Sequence, residues 1–202
     1  MSRKYVLLVV LALAVIGLDQ WTKYWVVGEL THRFDNRRTP GERLKAFYGK
    51  PPPEGFDGLH FASKRAITVS ENFFRIRYAE NPGAAWGLFR TLPEHIRGPL
   101  FHVVSLGAVI LIVGYYRRLS GKRHEERWAR WGLPLVLGGA LGNYIDRLAR
   151  SFVVDFLEAH WFDKAAWPSF NIADSAICIG VGMLIVDAFV RREPDSRQPA
   201  KK

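Results

Sequence analysis

The sequence alternates between four apolar blocks and the charged segments that separate them. The second block, residues 98–116, runs for nineteen residues without a charge, close to the roughly 20 residues that cross a bilayer as a helix. Asp19 and Lys23 interrupt the first block, and Asn171 and Asp174 lie near the start of the last. The pattern predicts an all-α membrane protein forming a single domain, 1–202. Its four transmembrane helices are expected at about 5–27, 98–116, 131–148 and 169–190.

The first block follows Arg3 and Lys4, an arrangement that a cleaved signal peptide also has. No small-residue cleavage site follows Leu18, and apolar residues resume beyond Lys23. We therefore expect this block to be retained as a transmembrane helix.

The distribution of charge predicts the orientation of the helices. Basic residues concentrate between the second and third blocks, at 117–130, and in the tail at 191–202, and the net charge is +10. Because basic loops stay in the cytoplasm, both termini and the 191–202 tail are predicted to be cytoplasmic. The outer loop at 28–97 is also basic, but loops of this length count weakly. Much of the positive charge is thus explained by the orientation of the helices and by attraction to lipid headgroups. No basic stripe suggests a nucleic-acid partner.

The long outer loop has two parts with different patterns. Residues 31–66 are rich in proline, glycine and charge, and we expect an irregular insertion there. Apolar residues at Phe74, Ile76 and Tyr78 alternate with arginines, which indicates a strand, and Ile67 and Val69 are candidates to pair with it. The sequence therefore predicts a small extracytoplasmic sheet on the membrane surface.

Four acidic side chains fall at one end of the predicted helices or just outside them: Asp19, Asp146, Asp155 and Asp174. With the orientation above, they converge on the outer third of the bilayer or its outer surface. Ionisable groups at membrane depth are costly unless paired or hydrated, so each is a candidate functional residue.

Several of these polar positions also have a purely structural explanation. Asp19 and Lys23 are four residues apart on one helix and can neutralise each other. Asn143, Asp146 and Arg147 share a helix face and can hold helices together.

The remaining polar positions can be explained in the same way. Asn171 followed by Asp174 is typical of a helix N-cap with an acid in the first turn, and Asp155 fits a carboxylate in a short outer loop. The glycines Gly138 and Gly142 predict close helix packing. Four acids at one depth are nevertheless difficult to explain by structure alone.

Paired carboxylates without a metal-binding set suggest one kind of chemistry. Two neighbouring carboxyl groups share a proton, so one can activate water while the other polarises a carbonyl. The histidines have no metal-ligand spacing, and Cys178 lies inside the fourth block. The pattern favours metal-free, cofactor-free peptide hydrolysis near the membrane surface, as in aspartic proteases.

Two other classes of protein use similar residues. A small transporter or proton-relay protein would need ionisable groups at successive depths, whereas the middles of all four blocks are apolar. A structural membrane subunit would explain Asn143 and the glycines, but not acids such as Asp155 that lie outside the helix cores.

Five blocks in order resemble bacterial lipoprotein signal peptidase, also called signal peptidase II: DQWTK at 19–23, NPGAAWG at 81–87, GNYIDR at 142–147, VVDF at 153–156 and FNIAD at 170–174. The resemblance covers most of the chain except residues 28–66 and the tail. It implies a four-helix membrane aspartic endopeptidase that removes the signal peptide from prolipoproteins, cutting before a diacylglyceryl-modified cysteine.

The resemblance also implies roles for individual residues. It places the catalytic pair on Asp155 and Asp174, and it gives Asp19 with Lys23 a structural role. Supporting or substrate-binding positions are Asn81, Gly83, Asn143, Asp146, Arg147 and Asn171. The implied partners are lipid-modified prolipoproteins and membrane lipid, with the active site at the outer face of the bacterial inner membrane. The chain departs from the family in its longer outer loop.

Overall fold

The computed structural model of the chain describes residues 3–55, 59–83, 88–89, 91–120, 124–162 and 164–190. The predicted tail at 191–202 and residues 84–87 of the second motif lie outside this part. The described helices are Arg3–Leu30 (α1), Pro40–Tyr48 (α2), Glu94–Arg118 (α3), Arg127–Arg150 (α4) and Ile172–Val190 (α5). The described strands are Ile67–Ser70 (β1), Phe74–Asn81 (β2), Val153–Trp161 (β3) and Ala165–Ala166 (β4).

Three of these helices, α1, α3 and α5, are long and apolar enough to cross a membrane. Their lipid-accessible faces carry exposed aliphatic side chains such as Leu13, Leu111 and Ile185. The remaining predicted span, 131–148, lies within α4. This helix has 24 residues, but it carries charged side chains such as Asp146 and Arg147 and is not among the helices apolar enough to be candidate spans. The described part of the chain is thus mostly helical, and three of its helices are candidate spans by length and apolarity, so the predicted number of four spans is not shown.

Helix α4 is more polar because it lies at the centre of the bundle, in contact with α1, α3 and α5. Its glycines allow this close packing. A Cβ atom on Gly138 would lie 2.8 Å from the carbonyl oxygen of Ala12 in α1, and one on Gly139 would lie 2.4 Å from that of Ala173 in α5. The predicted close packing at Gly138 and Gly142 is confirmed, since a Cβ on Gly142 would lie 2.8 Å from Asp19 Oδ2.

The sheet is antiparallel, with its strands in the order β1-β2-β3-β4. The predicted pairing of β1 with β2 is confirmed, with Ile67 opposite Ile76. The strand β3 was not predicted, and it corrects the expectation that Asp155 lies in a loop. Residues 153–156 are all buried, so this strand lacks the alternation that marks a half-exposed strand.

The predicted irregular insertion at 31–66 contains a helix, so that expectation was wrong for this part of the loop. Helix α2 begins with a capping box, in which Thr39 accepts from the Glu42 amide and the Glu42 carboxylate accepts from the Thr39 amide. Its Phe47 is fully buried. Phe47 joins a core with Phe34 and Phe61 of the insertion, the end of α1, and residues of β2 and β3.

Candidate active site

A buried group of ions lies where α1 crosses α4. Lys23 Nζ is 2.8 Å from Asp19 Oδ2 and 3.0 Å from Asp146 Oδ2, and it donates to Asn143 Oδ1 at 3.0 Å. All three charged side chains are 0% exposed. The predicted Asp19–Lys23 ion pair is confirmed, and it is extended by an acid from α4.

Asp146 is held from several directions. One carboxylate oxygen accepts from Gln20 Nε2 at 3.0 Å and from Arg150 Nη2. The other accepts from the main-chain amide of Val154 at 3.1 Å, in addition to its contact with Lys23. Asp146 therefore ties α1 and α4 to the start of β3.

Asp155 and Asp174 form a second pair of carboxyl groups, apart from the buried ion group. Asp155, which is 2% exposed, accepts from Asn81 Nδ2 at 3.0 Å and from Asn171 Nδ2 at 2.7 Å. Asp174 accepts from Asn143 Nδ2 at 2.7 Å and from the main-chain amide of Asn171 at 3.2 Å. Asn171 thus donates to both carboxyl groups and brings them together.

Asn171 reaches both acids because it immediately precedes α5. Its Oδ1 accepts from the amide of Asp174 at 2.9 Å, which confirms the predicted N-cap. Its Nδ2 points to β3 and donates to Asp155 Oδ1, and the adjacent residue Phe170 pairs with Leu157 of that strand. The cap therefore fixes Asp174 in the first turn of α5 while its amide group holds Asp155.

The environment of Asp155 favours its protonated form. Its pKa is raised to about 8, first by burial and then by the negative charge of Asp174, against the lowering effect of the hydrogen bonds from Asn81 and Asn171. A carboxyl group that keeps its proton at neutral pH can act as an acid beside an ionised partner.

Arg147 connects this pair to the loop after β2. Its Nη2 donates to the carbonyl oxygen of Gly83 at 2.9 Å, and the Gly83 amide donates to Asn81 Oδ1 at 3.0 Å. The guanidinium lies 4.3 Å from the ring centre of Phe101. Arg147 also lines an open cavity of about 560 Å³ between the start of α3 and the end of α4.

The predicted site residues thus divide into two neighbouring sets. Asp19, Lys23 and Asp146 form the buried ion group, whereas Asn81, Gly83, Arg147 and Asn171 surround the Asp155–Asp174 pair. Asn143 joins the two sets, since its oxygen accepts from Lys23 and its nitrogen donates to Asp174. In the described residues, no group of three or more histidine, cysteine or acidic side chains is placed to hold a metal ion.

Sequence reasoning missed two residues of the ion group. Arg150 is 1% exposed and pairs with Asp146 four residues earlier, the same spacing that identified Asp19 and Lys23. Gln20 lies within the first motif, but nothing in its spacing indicates that it reaches across to Asp146.

The fold and site define a membrane protein with two neighbouring aspartates set for acid–base chemistry, the buried Asp155 on β3 and the partly buried Asp174 in the first turn of α5. The family model for signal peptidase (SPase) II matches residues 11–190. The chain therefore belongs to the signal peptidase II family of membrane aspartic peptidases. This family assignment does not favour the alternative of a small transporter or proton-relay protein.

Relatives of the chain agree with this assignment, and a solved structure has a similar fold. The chain is 43% identical to a lipoprotein signal peptidase of Anaeromyxobacter sp. (strain Fw109-5), over 98% of this chain and 89% of the relative. It is 33% identical to one of Syntrophus aciditrophicus (strain SB), over 97% and 100% respectively. A solved bacterial membrane enzyme aligns with a TM-score of 0.65 at 24% identity, over 96% of this chain and 94% of the other, which supports the fold.

Proposed function

We propose that this protein removes signal peptides from diacylglyceryl-modified prolipoproteins, with Asp155 and Asp174 as the catalytic pair. The observation that carries the assignment is the shared donor Asn171, which donates to the buried Asp155 and to the partly buried Asp174 and so holds the two carboxyl groups together. Asp19 and Asp146 have the same chemistry, but each lies within 3.0 Å of Lys23, whereas no ion pair involves Asp155 or Asp174 in the part of the chain that the structure describes.

The pair acts by sharing one proton. Asp174 takes a proton from a water molecule while the water oxygen attacks the scissile carbonyl carbon. Asp155, protonated, donates to the carbonyl oxygen and stabilises the negative charge that develops there. The tetrahedral intermediate then collapses as the amide nitrogen gains a proton from the pair and leaves as an amine. The titration belongs to the pair as a unit, since the two groups interact strongly.

The surrounding amides fix the two carboxyl groups in this geometry. Asn81 and Asn171 donate to Asp155, and Asn143 donates to Asp174. Arg147 supports Asn81 indirectly by holding Gly83. Asp146, together with Asp19 and Lys23, has a structural role, because each is buried and bonded to other parts of the protein.

The sheet offers a surface for the substrate. Leu157 lies two residues after Asp155 on β3 and therefore projects to the same face, and Ile76 is its neighbour on β2. Both are only partly buried. These two side chains pack against the aromatic core and keep part of their surface accessible beside the pair, which suits an extended peptide next to a lipid-modified cysteine.

The membrane arrangement is part of the proposal. Helix α4, central among the three apolar helices, is the fourth span, so both termini share one side. Arg3, Lys4, Arg117 and Arg118 lie at the helix ends away from Asp155 and Asp174, which supports a cytoplasmic location for that end. The active site is then at the outer face of the inner membrane. Reporter fusions at Gly55 and Gly121 should give opposite locations, and fusions on one side would contradict the arrangement.

The direct test is cleavage of a lipidated precursor by the purified protein in detergent. Mass analysis should identify a product that begins with the diacylglyceryl-cysteine. A non-lipidated precursor is the matched control, and we expect it to remain uncut. Cleavage of both precursors at equal rates would contradict the proposed substrate class.

A further inference from the structure

Helix α2, which belongs to the longer outer loop, contacts the buried ion group behind the site in two places. Tyr48 Oη donates to Gln20 Oε1 at 3.1 Å. Arg150 Nη1 donates to the main-chain carbonyl of Phe47 at 2.7 Å, and its guanidinium lies 4.3 Å from the centre of the Phe47 ring. The helix therefore binds two side chains that come from two different membrane helices.

These two side chains meet at Asp146. Gln20 Nε2 and Arg150 Nη2 both donate to Asp146 Oδ1, and Asp146 Oδ2 accepts from the main-chain amide of Val154 at 3.1 Å. Val154 immediately precedes Asp155. The contacts thus form a continuous chain from α2 to the residue next to the proposed catalytic acid.

We propose that α2 is a positioning element for peptide cleavage, and that Tyr48 is its positioning residue. Tyr48 holds Gln20, the Phe47 carbonyl holds Arg150, and together they orient Asp146, which fixes the main chain beside Asp155. Tyr48 does not contact the reacting atoms in this scheme. The inference rests on the proposed function and extends it to a segment outside the family motifs.

The hydrogen bonds of Gln20 explain why a single hydroxyl group matters. Its amide nitrogen, which carries two hydrogens, lies 3.0–3.2 Å from Asp19 Oδ2, the Gly142 carbonyl oxygen and Asp146 Oδ1, which leaves only the amide oxygen for Tyr48. If the amide group of Gln20 were flipped, its oxygen would face the carboxylates of Asp19 and Asp146, which have no hydrogen to donate when ionised. The tyrosine hydroxyl satisfies the amide oxygen in the orientation that supports Asp146, and its loss leaves Gln20 less restrained.

The test is Tyr48→Phe, which removes the hydroxyl and keeps the ring. We expect kcat to fall by about 3- to 10-fold, because a small displacement of a reacting group is costly, while KM stays within about twofold. The thermal midpoint should change by no more than about 4 °C, as for one hydrogen bond. Tyr115→Phe, at a 40% exposed position on α3, is the matched control and should cleave like the unmodified protein.

The pH profile gives a readout that a merely structural role would not change. If the start of β3 is held less firmly, water reaches Asp155 and weakens the burial that raises its pKa. The alkaline limb of the rate profile for Tyr48→Phe should therefore move to lower pH. An unchanged kcat, or a lower thermal midpoint with kcat and the alkaline limb unchanged, would overturn the inference.

A double-mutant cycle with Gln20→Met tests the path of the effect. If Tyr48 acts through Gln20, adding Tyr48→Phe to Gln20→Met should cause little further loss of kcat. Equal losses in both backgrounds would overturn the inference. An unmodified protein that does not cut the lipidated precursor would instead refute the proposed function itself, and this inference with it.

Discussion

Removing the positive charge of Lys23 is the most informative perturbation of the buried ion group. In Lys23→Met, the side chain keeps its approximate length, but Asp19 and Asp146 lose an ammonium group that lies 2.8 and 3.0 Å from them. Asn143 Oδ1 also loses a donor. Asp146 keeps Arg150 as a partner, so Asp19 is the carboxylate left without a cation.

The expected loss is large because the group is sealed from water. Breaking a buried ion pair by removing one partner typically costs about 3–5 kcal/mol, since the other charge stays buried. For a chain of this size, 1 kcal/mol shifts the thermal midpoint by about 2–4 °C. The midpoint of Lys23→Met should therefore fall by roughly 6–20 °C.

Thermal unfolding in detergent, followed by circular dichroism, measures this effect. The matched control is Lys64→Met, which breaks the 2.9 Å pair with Asp35 at side chains that are 31% and 45% exposed. An exposed pair contributes at most about 1 kcal/mol, so its midpoint should barely change. Adding Asp19→Asn to Lys23→Met should recover part of the loss. Equal midpoints for Lys23→Met and Lys64→Met would refute the reasoning.

Two further predictions concern the insertion and the effect of pH. Phe47→Ala should lower the free energy of unfolding by about 3–5 kcal/mol, as for a fully buried aromatic ring. Leu44→Ala, at a 53% exposed position on the same helix, should change it by less than about 0.5 kcal/mol. Comparable losses in denaturant unfolding would contradict the packing described. Because the pKa of Asp155 is raised from 3.8 to about 8, the native state keeps a proton that the unfolded state releases between these pH values. As the pH rises through that window, the pair should therefore reduce the free energy of unfolding by up to about 1.4 kcal/mol per pH unit. Asp155→Asn should remove this slope, and identical slopes for both proteins in pH-dependent unfolding would count against the raised pKa.

Local patterns in the sequence predicted the features that depend on neighbours along the chain. Hydropathy located α1, α3 and α5, because each must present an apolar surface to lipid. The spacing of four residues identified the pair of Asp19 and Lys23, and the alternation at Phe74 and Ile76 identified β2.

Features that depend on distant contacts were not predictable in this way. The aromatic residues Phe34, Phe47 and Phe61 have no regular spacing, yet they meet in one core, so the insertion was expected to be irregular. The contact between Asp146 and Val154 joins two elements, and no periodicity indicates it. The separation of the four acids into an ion group and a carboxyl pair likewise depends on which helix faces which.

The central claim is that Asp155 and Asp174 perform the chemistry as one unit, and single-turnover cleavage of a lipidated precursor by their asparagine variants tests it most directly. Asparagine keeps the shape of the side chain but cannot exchange a proton. We expect Asp155→Asn and Asp174→Asn each to cleave at least about 100-fold more slowly while still binding the precursor. The double variant should be little worse, because residues that act as a unit are not additive. Normal cleavage by Asp155→Asn together with an inactive but folded Asp146→Asn would contradict the account, and so would inhibition by a chelator that added zinc reverses.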